Sequence, residues 1–138
     1  AADVDFVVIG GVAISWHCKE RLADDLDLLV CPSPENSRRI AQVLGNLGYT
    51  NIAVTSFEKN GLQIPLKKVF YAELLTPISG GPTFESVFVD AEFGQLFGCR
   101  VRIASRVCLR LMKEQAISLT KGKISKHVDD LRLLNANV

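Results

Sequence analysis

Asp25-Leu26-Asp27-Leu28-Leu29-Val30 sets two carboxylates one residue apart at the head of an apolar run. A short run of Leu and Val reads as a buried strand. In an extended strand, side chains at i and i+2 point to one face, so Asp25 and Asp27 are expected to project together at the strand's mouth. Adjacent anions repel, and burying either one is costly. A divalent cation reverses that repulsion. Hard oxygen ligands in this number suit Mg²⁺, completed by phosphate and water oxygens, which is the chemistry of metal-assisted phosphoryl or nucleotidyl transfer. The plain alternative for so short a pattern is a pair of solvated acids at a strand end. The flanking residues decide between the two.

Upstream, Val4 to Ile9 is a strand rich in branched residues, closed by Gly10-Gly11, and Val12 to about Glu20 reads as a short helix. A glycine pair leaving a strand and opening a helix lets backbone N–H groups approach an anion. Taken alone it is equally a tight turn. Downstream, Pro32-Ser33-Pro34 ends the Leu26–Cys31 strand, with Ser33 placed to cap a helix and Pro34 at its first position. Ile40, Val43, Leu44 and Leu47 form an amphipathic stripe, and Gly48 supplies a stop.

Farther on, Leu66 to Tyr71 is a candidate strand, Ser79-Gly80-Gly81-Pro82 a turn, and Val87 to Phe93 and Arg100 to Ile103 are strands. Ser105 is placed to cap a helix from Arg106 to about Ser118. Lys121-Gly122-Lys123 reads as a linker, and a last helix from Ser125 to Leu134 is expected to bury Val128, Leu131 and Leu134. The layout is α/β (α+β), a small mixed β-sheet flanked by helices. Neither Gly-x-Gly-x-x-Gly nor a P-loop is present.

With 138 residues and 48% hydrophobic content, the chain is expected to form a single domain over 1–138 with a real core. Its abrupt start beside the first strand raises the expectation of a helix preceding the given sequence. No apolar run reaches the length of a membrane span, and the N-terminus lacks the order of a secretory signal. A net charge of +1 carries no global nucleic-acid signature. Locally, acids cluster early at Glu20, Asp24, Asp25 and Asp27, while the basic residues from Arg100 to Lys126 are opposed only by Glu114. That polarity suits holding a metal–triphosphate, or is a solvated basic helix face. Cys18, Cys31, Cys99 and Cys108 form no Cys-x-x-Cys pair and no zinc spacing. They read as packing thiols in a reducing, cytoplasmic compartment.

Three features combine. Thirteen residues separate Gly11 from Asp25, the Asp-x-Asp strand follows, and Val89-Asp90-Ala91 sets a single acid in a later apolar strand. This constellation resembles the DNA polymerase beta-like nucleotidyltransferase superfamily. Within it, the chain is most similar to the small bacterial branch of minimal nucleotidyltransferases, abortive-infection toxins and antibiotic nucleotidyltransferases. Ile9-Gly10-Gly11-Val12-Ala13 and Arg21 match that branch, and Leu109 to Lys113 resembles its Leu-x-x-x-Lys helix. Lys126-His127-Val128-Asp129-Asp130-Leu131 resembles Lys-Asp-x-x-Asp-Leu, with His127 in place of the first Asp, and Ala23 stands where a Thr is common. The similarity runs from Phe6 to Leu134 and is weakest between Asn51 and Glu85.

The resemblance implies a nucleotidyltransferase fold and transfer of a nucleoside monophosphate from an NTP, ATP by family habit, to a hydroxyl acceptor. The acceptor would be a small molecule such as an aminoglycoside, an RNA end or a protein side chain. Asp25, Asp27 and Asp90 would be the catalytic carboxylates holding Mg²⁺ or Mn²⁺, with Asp90 also a possible proton acceptor. Gly10, Gly11, Arg21 and Lys113 would contact the nucleotide. The resemblance equally accommodates a non-catalytic or partner-dependent module of a toxin–antitoxin-like system, with a helical partner protein, and a homodimer is a further expectation. Simpler roles stand beside each residue: a strand acid neutralised by a base for Asp90, a surface lysine for Lys113, pairing with Asp24 for Arg21. Trp16 is favoured as core and His17 as an ordinary helix residue. Asp130 is expected to pair with Lys126 or Arg132. Acceptor specificity is expected in residues 51–85.

Overall fold

The computed structural model describes residues 3–21, 25–50, 52–66, 72–120 and 125–136. Among them, five helices surround a six-stranded mixed sheet, so the mixed α/β expectation holds. Ala23, residues 67–71 of the expected Leu66–Tyr71 strand, and the Lys121–Lys123 linker lie outside the described residues. No helix among those described is long and apolar enough to cross a membrane.

Strand β1 (Phe6–Ile9) leads directly into helix α1 (Gly10–His17), and strand β2 (Leu26–Val30) returns antiparallel to β1 with Ile9 opposite Asp27. Helix α2 (Pro34–Asn46) begins as the sequence dictates: Ser33 Oγ accepts from Asn36 N at 3.2 Å, with Pro34 in the first turn. It ends where Gly48 adopts φ +93°, in the left-handed region a glycine enters without strain. The apolar stripe of α2 is only partly used. Ile40 and Leu44 are buried, whereas Leu47 is 51% exposed.

Strands β3 (Gln63–Leu66) and β4 (Ala72–Leu75) pair antiparallel, and β4 lies parallel to β2. Pro65 sits in β3, which is an edge strand and therefore tolerates a residue without an N–H. The full order is β3-β4-β2-β1-β6-β5, with β6 parallel to β1 and antiparallel to β5.

One expectation is overturned. Val87 to Phe93 is not a strand: Phe84–Asp90 is helix α3, and strand β5 starts only at Glu92 and runs to Leu96. The branched residues of Val87-Phe88-Val89 favour a strand, but helical spacing prevails. Thr83 Oγ1 caps the helix by accepting from Ser86 N, Phe84 and Val87 are buried three residues apart, and Val89 is left 83% exposed. The hairpin from β5 to β6 (Cys99–Ile103) turns at Phe97 and Gly98, both at positive φ, the twist-matched geometry of a two-residue hairpin. Helix α4 (Arg106–Thr120) is capped by Ser105, whose Oγ accepts from Cys108 N at 3.2 Å, and helix α5 (Ser125–Ala136) follows. Leu134 is buried in α5; Val128 and Leu131 are half-buried.

Two apolar clusters hold the sheet. In one, Val7 and Leu29 pack with Ile14 of α1, Leu109 of α4 and Leu134 of α5. In the other, Val30 and Leu74 pack with Ile40 and Leu44 of α2 and with Phe57. Two buried polar residues of α2 tie irregular chain to this layer. The Asn36 amide bonds the backbone of Asp5 and Cys31, and Ser37 Oγ donates to Val54 O and accepts from Phe57 N. Each is satisfied, as buried polar groups must be.

Candidate functional site

At the centre of the sheet, β1 passes into α1 beside Asp27. Gly10 takes φ +67°, and a Cβ there would collide with Asp27 Oδ2. Backbone conformation and the close approach of a carboxylate therefore both demand glycine. No side chain caps the first turn of α1, so its leading N–H groups retain the partial positive charge of a helix start. At Gly11, an added Cβ would lie 3.2 Å from Arg21 Nη2, so the arginine head rests against the second glycine.

Arg21 is fixed from the other side by α5. Its Nε donates to Asp130 Oδ1 at 2.7 Å, and Lys113 Nζ lies 3.0 Å from Asp130 Oδ2. Asp130 is 1% exposed. One buried anion thus joins two mostly buried cations from α4 and from the segment after α1. Lys113 Nζ also lies 3.1 Å from His127 Nδ1. An ammonium has only donors, so Nδ1 is the acceptor in this contact.

Asp27, Gly10, Lys113 and His127 share the wall of a cavity of about 210 Å³. Ile9 and Leu29 complete its sheet side, Leu75 to Ile78 and Pro82 close one flank, and Leu109, Met112, Gln115 and Ala116 of α4 close the other. The lining is largely apolar with a few polar groups, the usual character of a small-molecule site.

The expected site residues divide into two groups. Gly10, Gly11, Asp27, Arg21 and Lys113 are brought into one neighbourhood, the last two through Asp130. Asp25 precedes β2 and is exposed. Asp90 does not join them. It ends α3 rather than sitting on a strand, and its Oδ2 accepts from Ser105 Oγ at 2.6 Å, with Cys108 Sγ 3.8 Å away. Burial pushes the Cys108 thiol above its ordinary value of 9.0; the nearby Asp90 carboxylate adds to this and the Ser105 hydrogen bond opposes it.

The register identifies an acid that sequence reading passed over. In the parallel pair β2–β4, Asp27 faces Glu73, so the two lie side by side on the same face of adjacent strands. Ala72-Glu73-Leu74-Leu75 carries the same signal as Val89-Asp90-Ala91, one acid among apolar residues. Glu73 Oε1 now accepts from Gln63 Nε2 at 2.6 Å. Among the described residues, no three acidic, His or Cys side chains converge on a metal-sized point in this conformation. Asp25, Asp27 and Glu73 are nonetheless a hard-oxygen set of the type Mg²⁺ takes, and the notch at Gly10 leaves Asp27 the room it occupies.

Other residues settle into plainer roles. His17 Nε2 donates to Ala104 O at 2.8 Å and lies 3.7 Å from Glu92, while Arg106 donates to the His17 carbonyl. The ring is a joint between α1, the end of β6 and α4, away from the cavity. Trp16 is not core: it is 39% exposed, stacks edge-on to His17, and covers Gly94, where a Cβ would meet its indole at 2.8 Å. Asp130 does not pair with Arg132, which instead lies 3.8 Å from Asp129. No protein-family model matches the sequence, and no curated protein matches it significantly.

Proposed function

We propose that the chain is a metal-dependent nucleotidyltransferase with the DNA polymerase beta-like fold, moving a nucleoside monophosphate from an NTP to a hydroxyl acceptor and releasing pyrophosphate. One observation carries this reading. Asp27 is seated against Gly10 at a strand-to-helix junction, with Glu73 in register beside it and two cations held nearby by Asp130. A divalent cation held by Asp25, Asp27 and Glu73 would neutralise phosphate charge and orient the phosphates. Glu73 takes the place in this scheme that the sequence gives to Asp90.

The chain's own groups have definite tasks. The first turn of α1 offers N–H donors to phosphate oxygens, unobstructed because Gly10 and Gly11 have no side chains. Lys113 presents a compact positive charge at the cavity wall. Asp130 keeps Lys113 and Arg21 in place when no anion is bound. The apolar flanks exclude water from whatever occupies the cavity, which strengthens each of these electrostatic contacts.

Calorimetric titration of the protein with ATP, with and without Mg²⁺ or Mn²⁺, tests the reading. Expected is nucleotide binding that requires the metal and is lost in Asp25→Asn and in Asp27→Asn; metal-dependent binding unchanged in both overturns it. Incubation with labelled NTPs and RNA, lysate or aminoglycosides then tests transfer. A labelled product formed by the chain alone separates catalysis from a partner-dependent module.

A further inference from the structure

Gln115 lies in the cavity wall contributed by α4, against the Ser79–Pro82 turn. Its Oε1 is buried and has no hydrogen-bond partner among the described residues. A Cβ at Gly81 would collide with this oxygen, so the turn is built to admit the carboxamide. Leaving a buried acceptor unmade is expensive, and such an atom in a native structure calls for an explanation. The walls around it are apolar, from Pro77, Ile78 and Pro82 on the turn side to Met112 and Ala116 on the helix. Such walls suit a flat ring, and a thioether adapts well to an aromatic face. Asp27 and Gly10 belong to a different wall, that of the sheet, so one ligand can present phosphate to the sheet and a ring to the turn.

We propose that Gln115 is the residue that reads the nucleobase, and that the base is adenine. This rests on the nucleotidyltransferase reading and deepens it. A carboxamide offers one acceptor beside one donor, and adenine's N6 amino group and N7 match that pair in two parallel hydrogen bonds. Guanine presents acceptors at both O6 and N7, so the same edge leaves Oε1 facing a lone pair. Rotation of the terminal amide about its soft sp³–sp² torsion is enough to align the pair.

The experiment is calorimetric titration in Mg²⁺ with ATP, GTP and purine riboside 5′-triphosphate, which lacks the amino group. The wild-type chain is expected to bind ATP about tenfold more tightly than either of the others, the scale of one satisfied buried hydrogen bond. In Gln115→Met, of similar volume, ATP loses its preference over purine riboside triphosphate, and both bind more weakly than to the wild type because N7 loses its donor as well. Gln115→Glu keeps the acceptor and therefore keeps the ATP preference over purine riboside triphosphate. An unaltered ratio in Gln115→Met, or a lost ratio in folded Gln115→Glu, overturns the assignment. Nucleotides binding with equal affinity to the wild type overturn the base reading and leave transfer standing. No nucleotide binding to the wild type overturns both. Melting curves establish that each variant is folded, and Gln115→Leu takes the place of Gln115→Met, with the same expected loss of preference, if Gln115→Met is not.

Discussion

Glu73 and Asp90 stand in nearly the same local sequence, one acid among apolar neighbours, and end in different places. Glu73 lies on β4, next to the strand that carries Asp27 and in register with it. Asp90 ends α3 and bonds the residue that caps α4. An acid's immediate neighbours set its exposure, but the strand it lands beside sets its chemistry. The two neighbourhoods also differ in how charge is managed. The cavity wall holds a buried anion between two cations, whereas beside α3 a carboxylate meets, among the described residues, a hydroxyl and a thiol.

That contrast can be broken in order of expected effect. Asp130→Ala would leave Arg21 and Lys113 mostly buried without their shared anion. Unfolding in urea should show a loss of about 3–5 kcal/mol, the range for stripping one partner from a buried pair. A loss under about 1 kcal/mol would mean that the network is hydrated and does not anchor the cavity wall.

Glu73→Gln should weaken metal-dependent nucleotide binding at least about tenfold, the low end of what outer-sphere partners of a metal alone contribute, with little change in stability. Asp90→Asn should do the opposite, leaving nucleotide binding intact while stability falls by about 1 kcal/mol through the weakened bond to Ser105. If the two variants exchange these outcomes, the catalytic acid is Asp90 and the register argument fails.

The smallest effect concerns pH. With its value raised in the folded state, the Cys108 thiol stays neutral in both states below the ordinary value of 9.0. Above that pH the unfolded chain ionises first, so the folded state loses stability as pH rises through the folded value. Cys108→Ser or Cys108→Ala should flatten this alkaline decline. In the intact protein, alkylation should reach the exposed Cys99 well before Cys108.

Much of the fold was legible because it is encoded locally. The cap at Ser33, the stop at Gly48, the cap at Ser105 and the apolar run that makes β2 a strand depend on residues close to each other in the chain. The misread segment, Val87 to Phe93, shows the limit. Its branched residues satisfy a strand pattern, and the Thr83 cap and the burial of Phe84 that favour a helix lie outside the window that pattern covers. The site was half legible for the same reason. Gly10 beside Asp27 follows from a short strand–turn–helix unit, but Glu73 is contributed by a strand whose pairing to β2 is long-range.

The sequence by itself determined that two carboxylates stand one residue apart where β2 begins and that a glycine pair opens the helix before it, because spacing and backbone freedom are properties of neighbouring residues. Only the tertiary structure decided which distant acid lies in register beside Asp27, and that Asp130 bridges Arg21 and Lys113. Those choices depend on strand order and helix packing, where a side chain's partner is chosen by the three-dimensional neighbour that burial places against it.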